Sequence, residues 1–173
     1  MVILITGASH TGKTLLAQRM LERFKYPYLS IDHLKMGLIR SSNTELTPLS
    51  DNEALTAYLW PIVREMVKTA IENDQNLIVE GCYIPFDWEK SFSSEYLDHI
   101  RCRFLIMSEA YIESHYQDII LHRRDIEDRL DDDGPGKEEL IRENAYIHRK
   151  CEEYGCSFIL LKDRYYIDLD LFV

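Results

Sequence analysis

Eight residues near the start of the chain, Gly7-Ala8-Ser9-His10-Thr11-Gly12-Lys13-Thr14, have the types and spacing to hold the phosphates of a nucleoside triphosphate. Two glycines let successive backbone N–H groups turn inward with no Cβ in the way. The lysine supplies a point charge for the outer phosphates, and the threonine offers a hydroxyl to Mg²⁺. A helix opening there directs its positive end at the anion. The same residues could serve merely as a turn and a helix start, so the flanking elements decide. Val2 to Ile5 is a continuous apolar, mostly β-branched run, as expected of a parallel strand covered on both faces. From Lys13 onward Leu16, Ala17, Met20, Leu21 and Phe24 recur at helical spacing, with Gln18, Arg19, Glu22 and Arg23 on the opposite face. A buried strand before the loop and a helix after it are what a phosphate cradle requires.

Two further acids stand where strands should end. Tyr28 to Ile31 reads as a short strand running into Asp32, then a helix through Leu34, Leu38 and Ile39. Leu77 to Glu80 reads as a third strand, closed by Gly81. In open α/β sheets ligands gather at the carboxyl ends of strands, so Asp32 and Glu80 are candidates for metal or substrate contacts. Asp32 would also make a good N-cap. A carboxylate after an apolar strand is costly unless partnered, and for Glu80 the partner is Mg²⁺, a substrate hydroxyl or a structural cation such as Lys35.

The remaining elements follow from period and punctuation. After the polar SSNTELTP loop, Ser50 and Glu53 make a capping-box pattern for a helix that Pro61 should kink or restart. Cys102 to Met107 is a fourth strand, and Ser108 is the N-cap of the next helix. A helix runs from about Lys137 to Tyr154, where Gly155 stops it, and Ser157 to Leu161 is a fifth strand. Strand and helix periods alternate throughout, which predicts an α/β protein with a parallel sheet and helices on both faces.

Composition sets outer bounds. A chain of 173 residues reads as one domain, 1–173, able to bury a core without disulfides or structural zinc. Its formal net charge of -10 opposes nucleic-acid backbones and anionic membranes, so a bound anion must be held by a local cluster of donors. Four scattered cysteines without a CxxC pair point to reduced thiols. With no apolar run of membrane-spanning length and a strand at the very start, the expectation is a cytoplasmic monomer or homodimer, without nucleic-acid or membrane partners.

The chain lacks the NKxD of a guanine-nucleotide switch, and its one DxxG, Asp131 to Gly134, falls in a polar turn. Its third strand ends Val79-Glu80-Gly81, unlike the Asp-Glu of motor ATPases. GASHTGKT, the acid in YLSIDHLKMGLIR and the LIVEGCYIPFDW segment together resemble the P-loop small-molecule kinases. That group includes the nucleoside monophosphate kinases, shikimate kinase, zeta-toxin and chloramphenicol phosphotransferases, and the 2-phosphoglycerate kinases. The resemblance spans nearly the whole chain as an order of elements, and only the first 14 residues are highly specific. Ser9 and His10 replace the proline and third glycine usual in adenylate kinases, which argues against that enzyme.

The resemblance implies a three-layer P-loop kinase fold with strand order 2-3-1-4-5 and a helical lid at about 117–136. It further implies ATP and Mg²⁺ as cofactors and a small anionic or hydroxyl-bearing acceptor. Asp32 becomes a general base or a water-mediated Mg²⁺ contact. Arg123 and Arg124 become lid arginines acting beside Lys13 on the transferring phosphoryl, ahead of Arg129. Those arginines also form i,i+4 pairs with acids, as on any charged helix. Among the cations after Asp32, Arg40 is a better anion clamp than Lys35, because guanidinium binds bidentately. Tyr83, Phe86 and Trp88 either line an acceptor pocket or pack the core, and the loop around Lys162 to Tyr165 is where a base would lie. The alternative function is a nucleotide-binding module or NTPase with no acceptor.

Overall fold

The computed structural model describes residues 1–122 and 135–172. Five parallel strands form one sheet in the order β2-β3-β1-β4-β5: β1 (Val2–Gly7), β2 (Tyr28–Ser30), β3 (Leu77–Glu80), β4 (Ile100–Met107) and β5 (Phe158–Leu161). Every residue of β1 is buried, because β3 and β4 flank it and helices cover both faces. Val2 and Leu4 face a core shared with α2 (Ile31–Arg40) and α3 (Asn52–Glu72). Ile3 and Ile5 face the opposite core, shared with α1 (Lys13–Phe24) and α5 (Glu109–His122). A short α4 (Ser94–Leu97) precedes β4, and α6 (Lys137–Tyr154) leads to β5, its Leu140 in one core and its Cys151 in the other. The three-layer fold and the strand order are those expected. No helix among the described residues is long and apolar enough to cross a membrane.

Three local expectations need correction. Asp51, not Ser50, caps α3, its Oδ1 accepting the Ala54 N–H at 2.9 Å, while Ser50 Oγ accepts from the Thr47 N–H instead. Of the kink or restart expected at Pro61, the restart does not occur: α3 runs 21 residues through it. Proline costs a helix about 3 kcal/mol. Burial of Leu59, Trp60, Val63 and Val67 on one side offsets that, with Pro61 itself on the exposed face. The helix after β2 begins at Ile31, so Asp32 lies in its first turn and the N-cap position falls to Ser30. By contrast Ser108 does cap α5, its Oγ accepting from Tyr111 N–H at 3.1 Å, and Gly155 ends α6 in the left-handed conformation (φ 69°). Of the expected lid, 117–122 close α5 and 135–136 precede α6; Arg123, Arg124 and Arg129 lie outside the described residues.

Gly7 is where the fold tolerates no side chain. Its φ is 128°, and a Cβ there would collide with the backbone of Leu105 on β4. Gly7→Ala should therefore cost more than about 3 kcal/mol, combining left-handed strain with a backbone clash. Urea unfolding followed by circular dichroism will read the loss, and a change under about 1 kcal/mol would mean that β1 and β4 can part there.

Candidate active site

The register of the sheet brings the candidate residues together. Ser30 of β2 and Ile5 of β1 both pair with Glu80 of β3, so the loop after β1, the first turn of α2 and the end of β3 share one edge. The loop turns at His10 (φ 60°) and Gly12 (φ 78°), after which α1 starts at Lys13. Thr11 Oγ donates to Ala8 O at 2.8 Å and closes the turn. Ser9, His10, Thr11, Gly12, Lys13 and Thr14 line a cavity of about 940 Å³, and Asp32 and Glu80 line it too. Gly7 and Ala8 support the loop from beneath, both fully enclosed. Arg40 is not brought in; it closes α2 on an exposed face away from the cavity.

Two lysines sit in this site, each held by acids. Lys13 is only 8% exposed, and its ammonium donates to Ala8 O at 2.6 Å and Gly7 O at 3.4 Å. Burial acts to lower its pKa, but the Cys82 thiol and the carboxylates of Glu80 and Glu143 outweigh burial and hold it above the ordinary lysine value. Lys35 donates to Asp32 Oδ1 at 2.6 Å and to Tyr83 Oη at 2.8 Å, and lies 4.9 Å from the centre of the Tyr83 ring. Burial again works downward, and the bonds to Asp32 and Tyr83 carry its pKa above normal. The pairing considered between Lys35 and Glu80 is therefore replaced by one with Asp32. Glu80, 2% exposed, instead has Oε2 3.4 Å from Thr14 Oγ. A hydroxyl beside a carboxylate is an all-oxygen donor pair, suited to a hard cation such as Mg²⁺.

The aromatic residues divide. Tyr83 lines the cavity, whereas Phe86 stacks on Phe104 with ring centres 5.3 Å apart and Trp88 packs edge-on to Phe92. Tyr165, in the segment after β5, donates from Oη to Gly12 O at 2.9 Å, with the Arg19 guanidinium 5.6 Å from its ring centre. Burial pushes the Tyr165 phenol up to about 12, so it remains a donor at any working pH.

Two residues of α6 have no counterpart in the sequence reading. Glu143 Oε1 accepts from Ser9 N–H at 3.0 Å and from Ser9 Oγ at 3.2 Å. Next to it the buried Asn144 accepts the Met107 N–H at 2.7 Å and donates to Leu140 O at 2.8 Å. Adjacent side chains of one helix thus fasten both the loop and the end of β4. Partners so far apart in the chain leave no local pattern; the one clue was an asparagine inside a helix, where its intrinsic propensity is poor.

A glycine-hinged loop between a buried strand and a helix, on a sheet ordered 2-3-1-4-5, defines the P-loop kinase fold. No family profile matches the chain, and no curated protein does. Among solved structures, a candidate kinase from Chloroflexus aurantiacus superimposes with a TM-score of 0.56 at 18% identity, over 98% of this chain and 92% of that one. A shikimate kinase from Bacteroides thetaiotaomicron gives 0.48 at 16% identity, over 95% and 90% of the two chains. A gluconokinase from Sinorhizobium meliloti gives 0.41 at 17%, over 88% and 94%. At these identities the likeness is one of fold.

Asn144→Leu keeps the volume and removes both polar contacts, leaving the Met107 N–H buried without its acceptor. It should cost about 1–3 kcal/mol in chemical unfolding. A loss below about 0.5 kcal/mol would mean that the Met107 amide finds another acceptor.

Proposed function

We propose that this chain is an ATP- and Mg²⁺-dependent kinase that moves the γ-phosphoryl group to a small molecule, with 1–173 as its single domain and 117–136 as its lid. The observation that carries the reading is the placement of Asp32 in the same cavity as the Gly7–Thr14 loop. A protein that only bound nucleotide would need the loop and a metal-holding acid such as Glu80, but no proton acceptor.

Phosphoryl transfer asks for positioning, charge neutralisation and a proton acceptor. The loop amides and the start of α1 would hold the phosphates, and Lys13 would trade its contacts with Ala8 and Gly7 for phosphate oxygens. Thr14 and Glu80 would hold Mg²⁺, which supplies charge neutralisation when bound. Asp32, oriented by Lys35, would take the proton of the acceptor. Arg123 and Arg124 remain candidates for the transferring phosphoryl on the strength of the resemblance alone.

The test is transfer of label from γ-labelled ATP to a panel of hydroxyl- and phosphate-bearing metabolites. Asp32→Asn should lower kcat by about 10²-fold or more with ATP affinity unchanged, since only the proton acceptor is lost. Full turnover in that variant would remove Asp32 from the role of base. Glu143→Gln keeps an acceptor for Ser9 while deleting a negative charge near Lys13. It should tighten ATP binding by about threefold or more, with a smaller gain for ADP, as measured by calorimetry. Weaker binding would show that the charge itself supports the loop.

A further inference from the structure

Lys35 joins two side chains from different elements. Its ammonium donates to Asp32 Oδ1 at 2.6 Å, one turn back on α2, and to Tyr83 Oη at 2.8 Å, in the segment after β3. All three side chains border the cavity, and Tyr83 is only 6% exposed. Each of them keeps one hydrogen-bonding capacity in reserve. An ammonium has three donors, and Lys35 spends two; a phenol oxygen that accepts from Lys35 still has its own O–H to give; and Asp32 Oδ2 can still accept. Among the described residues none of the three capacities is met by another protein group.

A phenol this enclosed with no acceptor for its proton is uncommon, because a hydroxyl taken from water costs about 1–3 kcal/mol unless a partner replaces the water. Burial raises the Tyr83 pKa above the ordinary tyrosine value, the Lys35 bond opposes the rise and the Asp32 charge adds to it, so the phenol keeps its proton and remains a donor. The ammonium also fixes the spacing of its partners. Its donors splay tetrahedrally, which sets Asp32 Oδ1 and Tyr83 Oη about 4–5 Å apart. Two oxygens on neighbouring carbons of one ligand, about 3 Å apart, can meet the carboxylate and the phenol together at ordinary hydrogen-bond length. Phe86 and Trp88 of the same segment pack against Phe104 and Phe92, so of these three aromatic residues only Tyr83 borders the cavity.

We infer that Tyr83 and Lys35 form a seat for a second hydroxyl of the acceptor, on the carbon next to the hydroxyl that Asp32 deprotonates, so that the acceptor is a vicinal diol; this rests on the kinase reading above. The second hydroxyl oxygen has two lone pairs, one for the Tyr83 O–H and one for the remaining Lys35 N–H. In the transfer, the reacting hydroxyl oxygen forms a bond to the γ-phosphorus while the bond from that phosphorus to the β–γ bridging oxygen breaks. The hydroxyl proton passes to the Asp32 carboxylate, and ADP leaves with the electron pair of the broken bond. The second hydroxyl stays in its seat throughout, so Tyr83 sets specificity without exchanging a proton with the acceptor, and Lys35 positions Asp32 and Tyr83 relative to each other.

The experiment offers the full chain, with Mg²⁺ and γ-labelled ATP, acceptors in matched pairs that differ only in the oxygen beside a reacting hydroxyl: glycerol against trimethylene glycol, glycerate against hydroxypropionate, adenosine against deoxyadenosine. In a productive pair the diol should show kcat/KM about a hundredfold above its partner, the effect of two hydrogen bonds. Tyr83→Phe should cut that ratio about tenfold, mainly through the KM of the diol, because one of the two bonds is lost and the volume is kept. The ratio in the unaltered protein tests the seat even where a variant folds poorly. Comparable labelling of both members overturns this inference and leaves the kinase reading standing. A Tyr83→Phe variant that slows both members alike, with their ratio kept, makes Tyr83 a support for Lys35 alone and also overturns it. Failure to label any member of any pair overturns both the inference and the proposed function.

Discussion

The site depends on the way β1 is held. Six consecutive residues, Val2–Gly7, are enclosed between two parallel neighbours and two helical layers, and that enclosure fixes where the chain leaves the sheet. A parallel strand presents its hydrogen bonds evenly to both sides, so the register with β3 cannot slip without moving every buried side chain to the wrong face. Gly7 pairs with Leu105 so closely that only glycine fits, and the loop begins from that anchored point. Glu80 is then adjacent to the loop by register, and Asp32 two residues past the end of β2.

Charge in the site is organised locally, against the net charge of the molecule. An acidic chain of -10 keeps two ammonium groups substantially buried, and each survives because carboxylates stand beside it: Glu80 and Glu143 for Lys13, Asp32 for Lys35. Burial acts to lower the pKa of both lysines, and their polar neighbours outweigh it, Cys82 with Glu80 and Glu143 for Lys13 and Asp32 with Tyr83 for Lys35. The direct contacts of the two differ: Lys13 donates to backbone carbonyls, Lys35 to a carboxylate and a phenol.

Helix α6 links parts that the topology leaves apart. Glu143 fastens Ser9 in the loop and Asn144 fastens Met107 at the end of β4, so the helix that follows 123–134 is tied to the phosphate loop by one side chain and to the sheet by its neighbour. Tyr165 performs a similar service from the segment after β5, bonding to the Gly12 carbonyl. With the Glu80 carboxylate of β3 beside Thr14 Oγ, the loop is supported by bonds from three distant parts of the chain, its own turn aside.

The sequence alone determined what depends on neighbours in the chain: the alternation of strand and helix periods, the glycine-hinged loop with its lysine and threonine, the Ser108 cap and the Gly155 stop. Those signals are local because backbone conformation and amphipathic facing are set within a few residues. Tertiary structure decided the rest. Pro61 was absorbed because burial along α3 outweighed a local defect, and the cap passed from Ser50 to Asp51 by a shift of one residue. Lys35 chose Asp32 and Tyr83 over Glu80, Arg40 turned outward, and Glu143 reached Ser9 across 134 positions. Such choices turn on which side chains meet once helices pack, and on distances of an ångström or two at low dielectric, which a linear order of residues does not contain.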